Sequence, residues 1–297
     1  MPKAWKTCLW LLKIILPISL AVRLLQYSGL LAKVSVWFEP MFSHIGLPAE
    51  SAVVFLTSIF SPLYAAIALI ASMGLTVRQL TILALMCLIA HNLPVETSIQ
   101  GHTGSRWWWV IVLRISSAFI VAFLVNQIMP YGSFDTVVRH YQTAESCQSI
   151  AEVIRLWLFS SLRLIGLILV IVTSLMVFHY LLEEFRLMDK ISRPLSPLMR
   201  LFGLPADCSF LWLVGNLVGL AYGGAIMVEQ IEANKLSRSE GDYLNHHLAI
   251  SHSLLEDTLI FVALGVPLLW IVVPRLAFAF IVVWSKRFVS KYICRNV

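Results

Sequence analysis

The stretch "GLPAE" occupies residues 46–50 and "GLPAD" occupies residues 203–207. A mostly apolar chain thus carries one short, carboxylate-ended phrase twice. The match extends upstream without a gap. "KVSVWFEPMFSHIGLPAE" (33–50) aligns with "KISRPLSPLMRLFGLPAD" (190–207) at an offset of 157, with seven of eighteen positions identical. A second block follows. "HNLPVETSIQGHTGSRWWWVIVLRISSAFIV" (91–121) aligns with "HSLLEDTLIFVALGVPLLWIVVPRLAFAFIV" (252–282) at an offset of 161, with twelve of thirty-one identical. Apolar identities are cheap in such a chain. The informative ones are His91/His252, Thr97/Thr258, Gly104/Gly265, Trp109/Trp270 and Arg114/Arg275, with Glu96 facing Asp257. Self-similarity at one long period means that one structural unit has been built twice. The four extra residues of the second copy fall in the polar stretch Glu229 to Asp242.

The 297 residues are 59% hydrophobic and 13% charged, with a mean hydropathy of +0.83. Charged usage is about half the soluble norm of roughly 25%. Continuous apolar runs long enough to cross a bilayer recur, which predicts an all-α polytopic membrane protein. A β-barrel is disfavoured because the runs do not alternate. The first run, Cys8 to Gly29, has the basic start of a signal peptide (Lys3, Lys6). Lys13 and Arg23 interrupt it and no small-residue cleavage site follows, so it reads as a membrane helix. The five cysteines show no paired spacing, and no Gly-rich phosphate loop is present. No cofactor or metal centre is therefore expected. The net charge of +6 reads as loop bias, not as a nucleic-acid footprint.

Each copy reads as one long apolar helix, an amphipathic piece, GLPA[ED], an interrupted apolar stretch and two further helices. These are expected at 9–28, 50–74, 78–97 and 107–127, and at 156–182, 207–228, 244–262 and 266–285. The interrupted stretches carry Pro62 in one copy and Gly219 at the aligned position of the other. Gly46, Pro48, Gly203 and Pro205 mark the neighbouring breaks. If both stretches are re-entrant hairpins, each copy crosses three times and the two copies are inverted. With both termini cytoplasmic, thirteen Lys or Arg fall inside, among them Arg186, Lys190, Arg193 and Arg200. Only Lys33, Arg78 and Arg139 fall outside. That bias fits an inner-membrane protein by the positive-inside rule. The expected division is a first repeat over 1–128, a polar extracytoplasmic loop over 129–150 and a second repeat over 151–297.

Ionisable groups at membrane depth are functional candidates. Glu50 and Asp207 read either as helix caps or as lining for a central site. His91, Asn92, Glu96 and Thr97 form a second group, with His252, Asp257 and Thr258 at matching places. These residues would bind solute or ion, and the same set could relay protons or take a divalent metal. Pro94 is expected to open the helix there. Arg114 and Arg275 are expected to form structural ion pairs with Glu96 and Asp257, or with Glu50 and Asp207. His246 and His247 are expected near a helix end, facing water.

The duplicated hairpin segments resemble the Gate, or nucleoside-recognition, domain. That domain appears in bacterial ferrous-iron permeases, in spore maturation proteins A and B, and in stand-alone membrane proteins. Concentrative nucleoside transporters carry a related hairpin, and "PAESA" (48–52) is similar to its Gly-x-x-Glu-Ala/Ser phrase. The resemblance implies two re-entrant hairpins meeting at a central site. Three features depart from it. No GTP-binding loop is present, neither GLPA[ED] phrase holds a cysteine, and Asp207-Cys208 replaces Glu50-Ser51. The expected function is a secondary transporter for a small polar solute, such as a nucleoside, coupled to H⁺ or Na⁺. The alternatives are a non-transporting subunit that partners another membrane protein or its own copy, and a ferrous-iron or divalent-metal permease. An enzyme is disfavoured because no nucleophile–base pair is visible.

Overall fold

The computed structural model describes residues 36–137 apart from 72, residues 149–295 apart from 186, and, of the first 35, residues 16, 17, 20, 21, 24, 27–30 and 33. Most of the expected helix over 9–28, the charges Lys3, Lys6, Arg139 and Arg186, and part of the 129–150 loop lie outside the described residues. Among the described residues the chain is helical, with one isolated bridge (Thr76 to Val137) and no strand. In chain order the first copy holds α1 (Glu39–Ser43), α2 (Ser51–Phe60), α3 (Leu63–Ile70), α4 (Val77–Ala90), α5 (Leu93–His102) and α6 (Trp107–Ile128). Then follow α7 (Ile150–Glu184), α8 (Leu187–Ser192), α9 (Ser196–Leu201), α10 (Ser209–Leu217), α11 (Leu220–Glu232), α12 (Arg238–Ser251), α13 (Glu256–Ala263) and α14 (Leu268–Arg295).

The repeated phrase stops one helix and lets another start. After α1, Gly46 sits at φ +77°. The Leu47 amide donates to Phe42 O at 3.0 Å and the Gly46 amide to Ser43 O at 3.0 Å. After α9, Gly203 sits at φ +73°, Leu204 donates to Met199 O at 2.7 Å and Gly203 to Arg200 O at 3.1 Å. This nested pair of bonds, with a left-handed residue at its end, is a helix C-terminal cap that favours glycine. Leu47 and Leu204 are buried as its apolar partner. Proline then removes a donor that the next helix start does not use. Gly46 and Gly203 therefore close the preceding turn instead of opening the next helix. Glu50 and Asp207 follow in the opening turns of the new segments.

The copies repeat further devices. Thr76 with Gln79 and Ser237 with Glu240 form reciprocal capping boxes that start α4 and α12. Pro62 precedes α3 and Gly219, at φ +100°, precedes α11. The offset is still 157 at Leu63/Leu220 and has become 161 at Thr76/Ser237. The extra residues thus lengthen α11 to 13 residues against 8 in α3. Around Gly219 the chain doubles back. A Cβ placed on Gly223 would lie 3.1 Å from the Gly215 backbone. Eight residues along one helix would separate them by about 12 Å.

Charged groups at the expected depth do not interrupt α4. It is apolar all round and almost wholly buried from Leu80 to Ala90, as a central helix should be. Wrapped around the core are α6 and α14, each long and apolar enough to cross a membrane over Trp107–Ile128 and Leu268–Lys291. The pair α4–α5, bent by 42°, passes the same test as one broken span. Outward apolar side chains include Phe123, Ile128, Leu269 and Phe288, and Trp107 to Trp109 are exposed at the start of α6. An apolar outer surface of this extent is a lipid-facing surface. The protein is a membrane protein with an all-helical fold.

Gly46→Ala should lower the melting temperature of the detergent-purified protein. The left-handed conformation costs a side chain about 1–2 kcal/mol, and the new Cβ would lie 2.5 Å from Asn126 Oδ1. Gly166→Ala, within α7 with nothing near its Cβ, should leave the melting temperature unchanged or raise it.

Candidate functional site

The expected continuous helices over 78–97 and 244–262 are each broken in the middle. Helix α4 ends at Ala90 and α5 starts at Leu93, with Asn92 left-handed at φ +49°. Helix α12 ends at Ser251 and α13 starts at Glu256, with Ser253 left-handed at φ +52°. Proline is compatible with the break in the first copy but is not required for it. Pro94 lies in the first turn of α5, after the break, and the second copy has Leu255 at the aligned position. Hydrogen bonds hold both breaks open instead. The Asn92 amide donates to Ser58 O at 2.8 Å, and the Ser253 amide donates to Gly215 O at 3.1 Å. Each helix end is thereby tied to the interrupted stretch of its own copy.

A helix end leaves carbonyls without intrahelical partners. Here a fully buried arginine caps them. Arg114 Nε donates to Ile89 O at 2.7 Å and its Nη2 to His91 O at 3.0 Å. Arg275 Nε donates to Ile250 O at 3.0 Å and its Nη2 to His252 O. Both guanidiniums have no solvent exposure. The planar fork of arginine suits two carbonyls two residues apart, which a lysine could not span. Histidine completes each cap. His91 Nδ1 lies 3.0 Å from Cys87 O, and His252 Nδ1 lies 2.8 Å from Leu248 O.

With Nδ1 engaged, the two Nε2 atoms point to one another's neighbourhood. The imidazole rings lie 5.0 Å apart. Glu96, from the first turn of α5, lies between them. Its Oε1 is 3.3 Å from His91 Nε2, and its Oε2 is 3.2 Å from His252 Nε2 and 2.6 Å from Arg114 Nη1. Asp257 Oδ2 lies 3.5 Å from His91 Nε2. All of these groups are buried. The cluster is therefore one site made by both copies. The symmetry fails at one point. Glu96 reaches its arginine, whereas Asp257 is a methylene shorter. Arg275 Nη1 instead donates to Thr258 Oγ1 at 3.4 Å, and no acid lies within 4 Å of Arg275 among the described residues.

The structure thus brings together His91, Glu96, His252, Asp257, Arg114 and Arg275, with Thr258 beside them. Thr97 is buried and donates to Leu93 O. It also faces an open groove of about 630 Å³ shared with Ile59, Phe60, Leu93, Trp107 and Ile111. Asn92 contributes its backbone conformation. Glu50 and Asp207 are not drawn in. Glu50 is half-buried and Asp207 exposed, and neither lies within ion-pair distance of any arginine or histidine among the described residues. Nor does the Glu50 side chain cap α2.

His246 and His247 do not face water. Both are buried: His247 because α12 packs its middle against α10 and the turn before it, and His246 because it packs against Asp242 and against Lys286 of α14. Trp212 Nε1 donates to His247 Nδ1 at 3.2 Å, and the Phe202 ring lies 4.6 Å from the imidazole. Sequence reasoning also missed a polar seam between the copies. Asn245 Nδ2 donates to Gln100 O at 3.1 Å and to Thr103 Oγ1 at 2.9 Å, while Gln100 Nε2 donates to Asn245 O at 3.1 Å. Ser105 donates to Asp242 at 2.6 Å, and Lys286 pairs with Asp242. Tyr64 OH donates to Glu256 Oε1 at 3.1 Å. The signal available was the run "LNHHLAIS" (244–251), whose polar residues sit within an apolar segment.

Nε2 of His91, Nε2 of His252 and a Glu96 oxygen lie within 4.8 Å of one another. A transition metal could span that distance. It would join two buried guanidiniums, one of them already bonded to Glu96.

Comparison with known proteins places this architecture. The family described as Gate, nucleoside recognition, matches residues 8–104. A Bacillus subtilis (strain 168) relative, described as "Uncharacterized membrane protein YvoD", is 30% identical over 261 residues, covering 86% of this chain and 82% of the relative. The chain belongs to the Gate family of membrane proteins. The Gate match ends at Gly104, just past α5, and so takes in the first broken helix with His91 and Glu96. No solved structure matches the chain.

Arg114→Met should destabilise the protein by about 3–5 kcal/mol, since it removes one partner of the buried Arg114–Glu96 pair and strands the Ile89 and His91 carbonyls. Adding Glu96→Gln should recover part of that loss. Arg275→Met should cost less, of the order of the 1–3 kcal/mol expected per stranded polar group. Glu50→Gln and Asp207→Asn should stay within about 0.5 kcal/mol of wild type. Denaturant or thermal melting in detergent reads all five.

Proposed function

We propose that this protein is a secondary transporter or permease for a small polar solute. The solute would pass the His91–Glu96–His252–Asp257 cluster. One observation carries the reading. Four ionisable side chains and two arginines are buried together at the breaks of two helix pairs, one from each copy. Charge at membrane depth is costly and is retained where it serves a pathway. Broken helices that meet at the interface of two repeats are the usual setting for a transported solute and its coupling ion. The family's description makes nucleosides the first solutes to try.

The architecture that goes with this reading has two inverted repeats, over 1–128 and 151–297, joined by an extracytoplasmic loop over 129–150. The doubling back at Gly219 supports a re-entrant hairpin in the second copy, with Pro62 as its counterpart in the first. The distribution of basic residues favours cytoplasmic termini and an inner-membrane location on this reading. The protein would work as a carrier and not as an enzyme. Its partners are the lipid bilayer, the solute, a coupling H⁺ or Na⁺, and either a second copy or a membrane partner protein.

Two measurements test this. A thermal-shift screen of purified protein against nucleosides, nucleobases and small carboxylates should give a hit, because a ligand of the folded state raises its apparent stability. The hit should vanish in Glu96→Gln. A blank screen on well-folded protein would move the assignment to a non-transporting subunit. Separately, a single cysteine at position 190 should react with impermeant reagent only from the cytoplasmic side. Reaction from outside would overturn the inverted arrangement.

A further inference from the structure

We infer that the central cluster is a proton-binding site, with the proton held at His91 between Glu96 of the first copy and Asp257 of the second. The role of that proton as the coupling ion rests on the transporter reading above. The binding itself does not.

The argument begins with hydrogen-bond roles. A backbone carbonyl only accepts, so the Nδ1 atoms that face Cys87 O and Leu248 O must carry hydrogens. In a neutral imidazole the other nitrogen, Nε2, is then a bare lone pair. Both Nε2 atoms point at carboxylate oxygens, at 3.2–3.5 Å. Carboxylates only accept as well. Arg114 faces Glu96 Oε2. Without a further cation, the two Nε2 atoms, Glu96 Oε1 and Asp257 Oδ2 converge in a buried space with no hydrogen between them. One proton resolves this, because protonated His91 donates towards Glu96 and Asp257 together. Arg114 Nη1 lies 2.6 Å from Glu96 Oε2, an ion-pair contact that favours the carboxylate form of Glu96 over a proton there. His252 faces a single acid, Glu96, and is the weaker seat.

Charge count separates the cations. Groups from every element packed around His91 enter it: Glu96 on α5, Asp257 and Glu256 on α13, Arg114 on α6, Arg275 on α14, and His252 at the end of α12. Glu256 lies within electrostatic reach of both His91 and Asp257. A single proton adds one unit of positive charge beside two buried arginines, whereas a divalent metal adds two. Sodium, a hard cation, takes oxygen ligands and gains little from two imidazole nitrogens.

The test uses the full chain in liposomes with ¹⁵N-labelled histidine, observed by solid-state NMR. On titration from alkaline to acidic pH, the pyridine-type Nε2 resonance assigned to His91 by its absence in His91→Gln should be lost as that ring becomes an imidazolium. That transition should be absent in His91→Gln and displaced in Asp257→Asn. The same resonance should not respond to NaCl or ZnCl₂ at constant pH. If it responds to ZnCl₂ but not to pH, the site is a metal site and the inference fails. If the Nε2 lone pair assigned to His91 persists through the titration in wild type, no proton is bound there and the inference also fails. Neither result needs a transported solute, so failure here is distinct from failure of the solute screen.

Discussion

Two arginines hold this fold's centre open. A helix broken inside a membrane exposes carbonyls that no water can satisfy, and each stranded group costs several kcal/mol in hydrocarbon. Arg114 and Arg275 reach from the long outer helices and bond the carbonyls at the end of α4 and α12. Breaking the helices is thereby made tolerable, but at the cost of bringing two positive charges into the interior. Negative partners must follow. Glu96 and Asp257 stand in the first turns of the helices that restart beyond the breaks, where the dipole also favours them. Cap, break and acid are thus one linked requirement, met twice.

The two solutions are not identical, and the difference creates the site. Had both acids been glutamate, each arginine could hold its own, and the histidines would face two satisfied pairs. Asp257 is too short to do so. It turns to His91, so the first-copy histidine lies between acids from both copies while the second meets one. Tyr64 and Glu256 deepen the inequality. The residues aligned with them, Ala221 and Val95, cannot take part in such a bond. A duplicated scaffold supplies the geometry, and unmatched residues supply direction.

Much of this was legible in the residues. The doubled GLPA[ED] phrase and the offset blocks reveal the repeat without coordinates. The pairings His91/His252, Glu96/Asp257 and Arg114/Arg275 pick out the cluster. Other features were hidden for physical reasons. Periodicity sees a continuous apolar run over 78–97, because the break depends on tertiary bonds from Ser58 O and Gly215 O and not on a local breaker. The prolines of GLPA[ED] drew attention to Glu50 and Asp207. Those acids follow a helix stop set by glycine, and nothing in the local sequence says whether the restarted segment carries them inward. His246 and His247 look like a wet helix end, since two histidines beside Asp242 and Asn245 lower the hydropathy of the segment. Only the packing of α12 against Trp212, Phe202, the Gln100–Ser105 turn and Lys286 buries them.

That seam of Asn245, Gln100, Thr103 and Ser105 has a consequence for motion. Under the proposed transport function, a solute or proton that reaches the cluster would leave by another route, and the copies would shift against one another. Interfaces that switch are bistable and not continuously soft. The seam is built from directional side-chain and backbone bonds, ending in the Asp242–Lys286 pair, which is partly open to solvent. Such bonds can be exchanged for water at one end of the molecule with little net loss. The arginine caps within the core cannot be exchanged in that way. On that reading the physical division is between a centre whose bonds persist and a polar seam whose bonds can open.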